Sequence, residues 1–203
     1  MKPKPSECAD CPLNKSSVGF AMDEFLGAGS PLLAVLAERP AYWEIQREDG
    51  ELGRGRPLVG PTGKRWEKFC VKDFGRKRED ILVCNTLRCG HTKNQYPTGK
   101  KKIEGELFCR QWDGRLKDFN ADVAILTYHP AYTFRVPQVM KLIVAAFETA
   151  WDLVDEGVKP LVIMGERGLK AAGMDWLRPG FHPPEASMKN WQRHIIDLSK
   201  EKV

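Results

Sequence analysis

"VAILTYHPAYTFR", Val123 to Arg135, begins with an apolar run, meets turn residues, and leaves as a polar loop carrying a His-Pro pair and an arginine. The run reads as a short buried strand bounded by turn formers. Three other runs match it: Leu32–Leu36, Ile81–Val83 and Leu161–Met164. Helical patterns lie between them. Trp66, Phe69, Cys70 and Phe74 fall on one helix face after "GPTG", and Met140, Ile143, Phe147, Trp151 and Val154 repeat at three- and four-residue steps after "RVPQ". A third helix is expected to carry Cys109 toward Leu116, and a fourth to follow "MGERG". Near-continuously apolar strands alternating with helices predict an α/β fold, a parallel sheet covered on both faces. Ligands of such sheets bind beyond the carboxyl ends of the strands. The loops there are "AERPAYWE", "NTLRCGHTKNQ", "TYHPAYTFR" and "MGERG".

The chain has 203 residues, enough for one domain over 1–203 whose core needs no disulfides. Apolar residues make up 42% and charged residues 29%, an ordinary globular balance. No stretch approaches the roughly 18 consecutive apolar residues of a membrane span. "MKPKPSECADCPLNK" lacks the apolar core of a signal peptide, so an intracellular, cytoplasmic protein with reduced thiols is expected. The net charge of +5 is mild but clustered. Arg54, Arg56, Lys64 and Arg65 crowd one stretch; Lys93, Lys100, Lys101 and Lys102 crowd another. Such clusters favour polyanions, although either alone also reads as a solvated surface.

Six cysteines in a reducing compartment suggest a metal site. "CADCPL" puts Cys8 and Cys11 two residues apart in a turn, so both sulfurs can face one centre. Cys89 and Cys109 are the best candidates to complete a four-thiolate shell, with Cys84 the substitute; spacing alone does not separate zinc from iron. Cys70, on an apolar helix face, reads as core.

Several motifs then converge. "CADCPL" from Cys8 to Leu13, "GRPLVGPTG" from Gly55 to Gly63, "NTLRC" from Asn85 to Cys89, "NQYP" from Asn94 to Pro97 and "TYHPAYTFR" from Thr127 to Arg135 follow one another in order. Together they resemble the iron–sulfur uracil-DNA glycosylases of the family 4 type. "TGKKKIE", Thr98 to Glu104, is similar to an insertion of the related family X. The resemblance spans roughly residues 8 to 155. It implies a central four-stranded parallel sheet in a three-layer sandwich, and a structural [4Fe–4S] cluster on Cys8, Cys11, Cys89 and Cys109. It further implies DNA as partner, a monomer, and a base rotated out of the duplex into a pocket. Ala37, Arg39, Leu58 and Asn85 match the pocket positions. Asn85 would read the base edge through its amide. His129 would donate to the oxygen of the departing base. Glu38 would orient or deprotonate water, or stabilise the sugar cation; alternatively it caps a backbone donor or meets Arg39. Lys64, Lys100, Lys101, Lys102 and Arg135 are expected on DNA phosphate.

The departures bear on activity. The family's G-E-A-P-G is "AERPA" here, Ala37 to Ala41, so both glycines are lost and Arg39 enters the site. The family's stacking Phe aligns with Leu58. The acid of the following linker is ambiguous among Glu44, Glu48, Asp49 and Glu51. Glu104 stands where family X has the His that traps the sugar, so no covalent trapping is expected. "PLVIMGERGLKAA" follows the His-Pro strand rather than preceding it, and a second His-Pro occurs at His182. Either the last two strands have exchanged order or His182 is the counterpart; the flanking "AYTFR" favours His129. The rival reading is a catalytically inactive DNA-binding protein that kept the fold, and a third is a zinc-stabilised nucleic-acid module.

Overall fold

The computed structural model describes residues 6–47, 55–91, 98–165 and 195–197. In chain order its strands are β1 (Ser17–Phe20), β2 (Leu33–Ala37), β3 (Gln46–Arg47), β4 (Ile81–Asn85), β5 (Cys89–His91), β6 (Val123–Thr127), β7 (Pro160–Met164) and β8 (Ile195–Asp197). Its α-helices are α1 (Pro61–Cys70), α2 (Lys100–Cys109), α3 (Gly114–Phe119) and α4 (Val139–Asp155).

The four expected strands are present, all parallel, in the order β4-β2-β7-β6, and β8 adds a fifth beside β6. Alternation along each strand splits the core in two. Leu33, Val35, Ile81, Val83, Ile125 and Val162 point to one face, where α1 and α4 bury Trp66, Cys70, Ile143, Phe147 and Trp151. Ala34, Leu36, Leu82, Cys84, Ala124 and Leu161 point to the other, packed by Leu116 and Phe119 of α3. Both faces are covered, which is why the four expected strands are apolar except at the carboxyl-end residues Asn85 and Thr127. Burying each Val-, Leu- or Phe-sized side chain contributes about 1.5–3 kcal/mol. In α4, Val139, Ile143, Ala146, Phe147, Ala150 and Trp151 form the buried stripe that a 3.6-residue period produces. The indole of Trp151 donates to the carbonyl of Cys70 at 2.9 Å and fixes α4 against α1.

The chain-order anomaly is a matter of topology. β7 follows β6 in sequence yet lies between β2 and β6 in the sheet. The chain runs from β2 to β4 on one side, crosses to β6 on the other, and comes back to β7 beside β2. The carboxyl ends of β2 and β7 thus border the crevice where the strand order reverses.

A second sheet, β3-β1-β5, is small and antiparallel, and brings Cys89 beside Phe20. The helix expected from Cys109 to Leu116 is instead two: α2 ends at Cys109, one 3₁₀ turn follows at Arg110–Trp112, and α3 begins at Gly114. Lys100, Lys101 and Lys102 form the first turn of α2. The helix expected after "MGERG" and His182 both lie outside the described residues. No described helix is long and apolar enough to cross a membrane.

Candidate functional site

Ala37 and Asn85 are register partners at the ends of β2 and β4, and the pairing continues past them. The N–H of Thr86 donates to the Ala37 carbonyl at 2.9 Å and that of Leu87 to the Glu38 carbonyl at 3.0 Å. Glu38 and Arg39 thus leave β2 held alongside "NTLRC". At the end of β7, Gly165 has φ +146, and a β-carbon there would lie 2.8 Å from Cγ of Glu38. Glycine is required both by that backbone and by the close approach of the carboxylate side chain.

Asn85 is 2% exposed, and its Nδ2 has no hydrogen-bond partner among the described residues. Thr127, at the end of β6, has a buried Oγ1 in the same condition. Both are buried polar groups at the carboxyl ends of strands in one sheet, with hydrogen-bonding capacity left for a ligand or water.

His129 follows β6 and opens the 3₁₀ turn Pro130–Phe134. Its Nδ1 accepts the N–H of Ala131 at 3.1 Å. A nitrogen that accepts carries no proton, so the neutral ring bears its hydrogen on Nε2. Burial pushes the imidazole below its ordinary value, while Glu38 pulls it up and Arg39 pushes it further down. Glu38, Arg39 and His129 therefore share one electrostatic environment, and the ring is a neutral Nε2–H donor near pH 7.

Leu58 is buried on the α1/α4 face with Ala37 and takes φ +52, a left-handed conformation uncommon for a branched side chain. Its carbonyl lies against Gly63 so closely that a β-carbon there would sit 1.9 Å from the oxygen. "GRPLVGPTG" is thus a loop folded onto the start of α1. Arg78 holds it from behind, donating to the Pro57 carbonyl at 2.7 Å while pairing with buried Glu24 at 2.7 Å. Glu44 holds it from the front. Its carboxylate accepts the N–H of Ala41 at 3.0 Å and backbone hydrogen bonds from Gly60, Leu58 and Val59. Glu44 thereby bolts the Glu38 loop to the Leu58 loop, which assigns a role to one of the four ambiguous acids; Glu48, Asp49 and Glu51 lie outside the described residues.

The basic residues fall on two regions. Lys64 and Arg135 are exposed, and Arg65 of α1 lies 5.5 Å over the ring of Phe134, which is 58% exposed. The sequence already groups Arg65 with Lys64 in one basic cluster but passes over Phe134; its signal is an aromatic residue directly before the arginine that closes the His-Pro turn. On α2, Lys100 and Lys102 lie 3.7 and 3.4 Å from Glu104 and Glu106 one turn on.

Cys8, Cys11, Cys89 and Cys109 line one cavity. The N-terminal 3₁₀ turn presents the first two, with the N–H of Cys11 donating to the Cys8 carbonyl at 3.1 Å. β5 supplies Cys89 and the end of α2 supplies Cys109. Gly105 lets α2 seat on Leu13, since a β-carbon there would lie 2.3 Å from Cδ1 of the leucine. Burial pushes the Cys109 thiol up to about 11, opposed by Arg88 and assisted by Cys11 and Cys8. A bound cation removes that obstacle, because a coordinating thiol is deprotonated outright. Among the described residues no group of three or more His, Cys, Asp and Glu side chains is arranged to hold a metal ion. Four thiols lining one cavity are a donor set that zinc and iron–sulfur centres both use. Cys84, the substitute ligand, packs on the α3 face, and Cys70 lies in the core against α4.

No protein-family model matches the chain. Over 131 residues, 64% of its length, it is 26% identical to a curated protein of Thermotoga maritima named Type-4 uracil-DNA glycosylase. The match spans 61% of that relative's length. The similarity agrees with the superfamily to which the motifs point; the family X-like reading of Thr98 to Glu104 gains nothing from it.

Proposed function

We propose that the protein is a DNA glycosylase that hydrolyses the N-glycosidic bond of a flipped uracil or modified pyrimidine, acting inside the cell as a monomer. The observation that carries the reading is His129. Its turn fixes Nδ1 as an acceptor and leaves Nε2–H as donor, in the electrostatic field of Glu38 and at the same end of the sheet as Asn85.

In this reading the base enters between Ala37, Leu58 and Asn85, whose amide pairs with its polar edge. As the bond from the base nitrogen to C1′ breaks, the electron pair leaves with the pyrimidine. His129 Nε2–H stabilises the charge on the base oxygen. Glu38 faces the cationic sugar and orients the water whose oxygen bonds to C1′ and whose proton ends on the departing base, leaving free pyrimidine and an abasic site. Leu58 supplies volume without a stacking ring, and Arg39 adds a cation, so a pyrimidine with a bulky or anionic substituent fits the pocket better than plain uracil. Lys64, Lys100, Lys101, Lys102 and Arg135 meet phosphate.

Cys8, Cys11, Cys89 and Cys109 would hold a [4Fe–4S] cluster. When bound it supplies no redox chemistry to the hydrolysis but ties the N-terminal turn, β5 and α2 together.

An abasic-site assay on single-lesion oligonucleotides carrying uracil and substituted uracils tests the proposal. Alkali-labile breaks at one or more of these bases, lost in Asn85→Ala, are expected. DNA binding without breaks at any base favours the inactive alternative. Cleavage confined to plain uracil removes the modified-base preference.

A further inference from the structure

Arg88 stands between two of the four cysteine segments and is 3% exposed. Its Nη1 donates to the Cys109 carbonyl at 3.0 Å, and its Nη2 lies 2.8 Å from both Asp23 Oδ2 and Asp113 Oδ1. Nε donates to Asp23 Oδ1 at 3.0 Å, and Nη2 also reaches the Trp112 carbonyl at 3.3 Å. One guanidinium thus joins the β1–β2 connection, the residue before Cys89 and the α2–α3 junction after Cys109. It also lines the cysteine cavity. The main-chain N–H of the same residue is hydrogen-bonded to the Cys109 sulfur. A folding role alone does not require the arginine to border the sulfurs; an internal apolar contact would tie the same segments at lower desolvation cost. Ser17, on the same cavity wall, has a buried hydroxyl without a partner among the described residues, so the wall offers further donor capacity toward sulfur.

We infer that Arg88, held by Asp23 and Asp113, is a positioning residue for the inorganic centre, fixing Cys89 and Cys109 in ligand geometry and setting the local charge the cluster experiences. The inference rests on the cluster reading above. Outer groups that orient metal ligands typically change metal retention about 10–100-fold when removed, and cluster potentials follow nearby charge and hydrogen bonds to sulfur.

The test uses the full chain purified without oxygen, with iron and sulfide counted, the reduction potential titrated, and bleaching by a chelator timed. Arg88→Gln removes a positive charge, so the potential should fall and bleaching should quicken about 10–100-fold. Asp113→Asn is nearly isosteric and removes a negative charge, so the potential should rise. A purely architectural arginine would give no such opposite pair of shifts. If Arg88→Gln does not fold, Asp113→Asn decides by the sign of its shift. Wild-type protein without iron and sulfide overturns the cluster reading and this inference with it. A wild-type cluster whose potential is unmoved in Asp113→Asn, or moves the same way in both variants, overturns this inference alone.

Discussion

Replacing His129 by Asn separates what the ring does for the fold from what it does for the reaction. In the structure the imidazole makes one local bond, from the Ala131 N–H to Nδ1 at 3.1 Å, as the cap of the turn Pro130–Phe134. Such a cap contributes about 1 kcal/mol, and Asn is itself a good cap, so His129→Asn should cost well under that in stability. The chemical role is larger. Nε2–H is the donor assigned to the departing base, and removing one preorganised donor costs about 2.7–4 kcal/mol, or roughly 10²–10³ in rate. Asn is too short to replace it from the same backbone position. Single-turnover cleavage on the best oligonucleotide of the panel, with affinity followed by fluorescence anisotropy, reads the two separately. The rate constant should fall by about 10²–10³ with affinity little changed. The wild-type rate should also be level through neutral pH and descend only on the acid side of the lowered histidine pKa, where Nδ1 takes a proton and meets the Ala131 N–H donor to donor. A loss below about fivefold, or a loss entirely in affinity, would refute the assignment.

Other expectations come from the loops around the pocket and from the surface. Gly63→Ala places a β-carbon 1.9 Å from the Leu58 carbonyl and should lower stability by about 1–3 kcal/mol in urea unfolding. Gly60→Ala, whose nearest neighbour would be 3.9 Å away, should not. Equal effects would mean that the Leu58 loop is not seated on α1. Burial raises the Glu44 carboxyl above 4.5, so the unfolded chain releases this proton first as pH climbs. Its contribution to stability falls from pH 4.5 up to the raised folded value, then stays level. Glu44→Gln should abolish that decline in a pH series of unfolding midpoints, and an identical series would count against the buried anchor. Changing Lys100, Lys101 and Lys102 to Gln should flatten the salt dependence of DNA affinity by about 0.9 in log–log slope for each phosphate no longer neutralised. An unchanged slope removes α2 from the DNA surface.

The central strands were legible because β2, β4, β6 and β7 are buried on both faces, and that requirement writes an apolar run into each. β8 contributes two isoleucines and an aspartate, and β1, β3 and β5 are two to four residues long with no period to read. Their existence is decided by pairing partners elsewhere in the chain. α2 is not among the expected helices because its first turn is three lysines and its apolar Ile103 and Leu107 are exposed, so no buried stripe marks it. The Cys8–Cys11 pair is visible in its spacing and the sequence already ranks Cys89 ahead of Cys84, whereas the strand alternation that turns Cys84 toward α3 is seen only in the fold. Arg88 gives no sign of its burial. A lone arginine reads as surface until Asp23 and Asp113, distant in sequence, are placed against it.

The most direct test of base excision is identification, by mass, of what leaves a bound oligonucleotide containing one substituted uracil. Glycosidic hydrolysis predicts a free pyrimidine base and an abasic strand in equal amounts, both missing with Asn85→Ala. Recovery of the intact strand from stoichiometric complexes, for uracil and every substituted uracil tried, would contradict it.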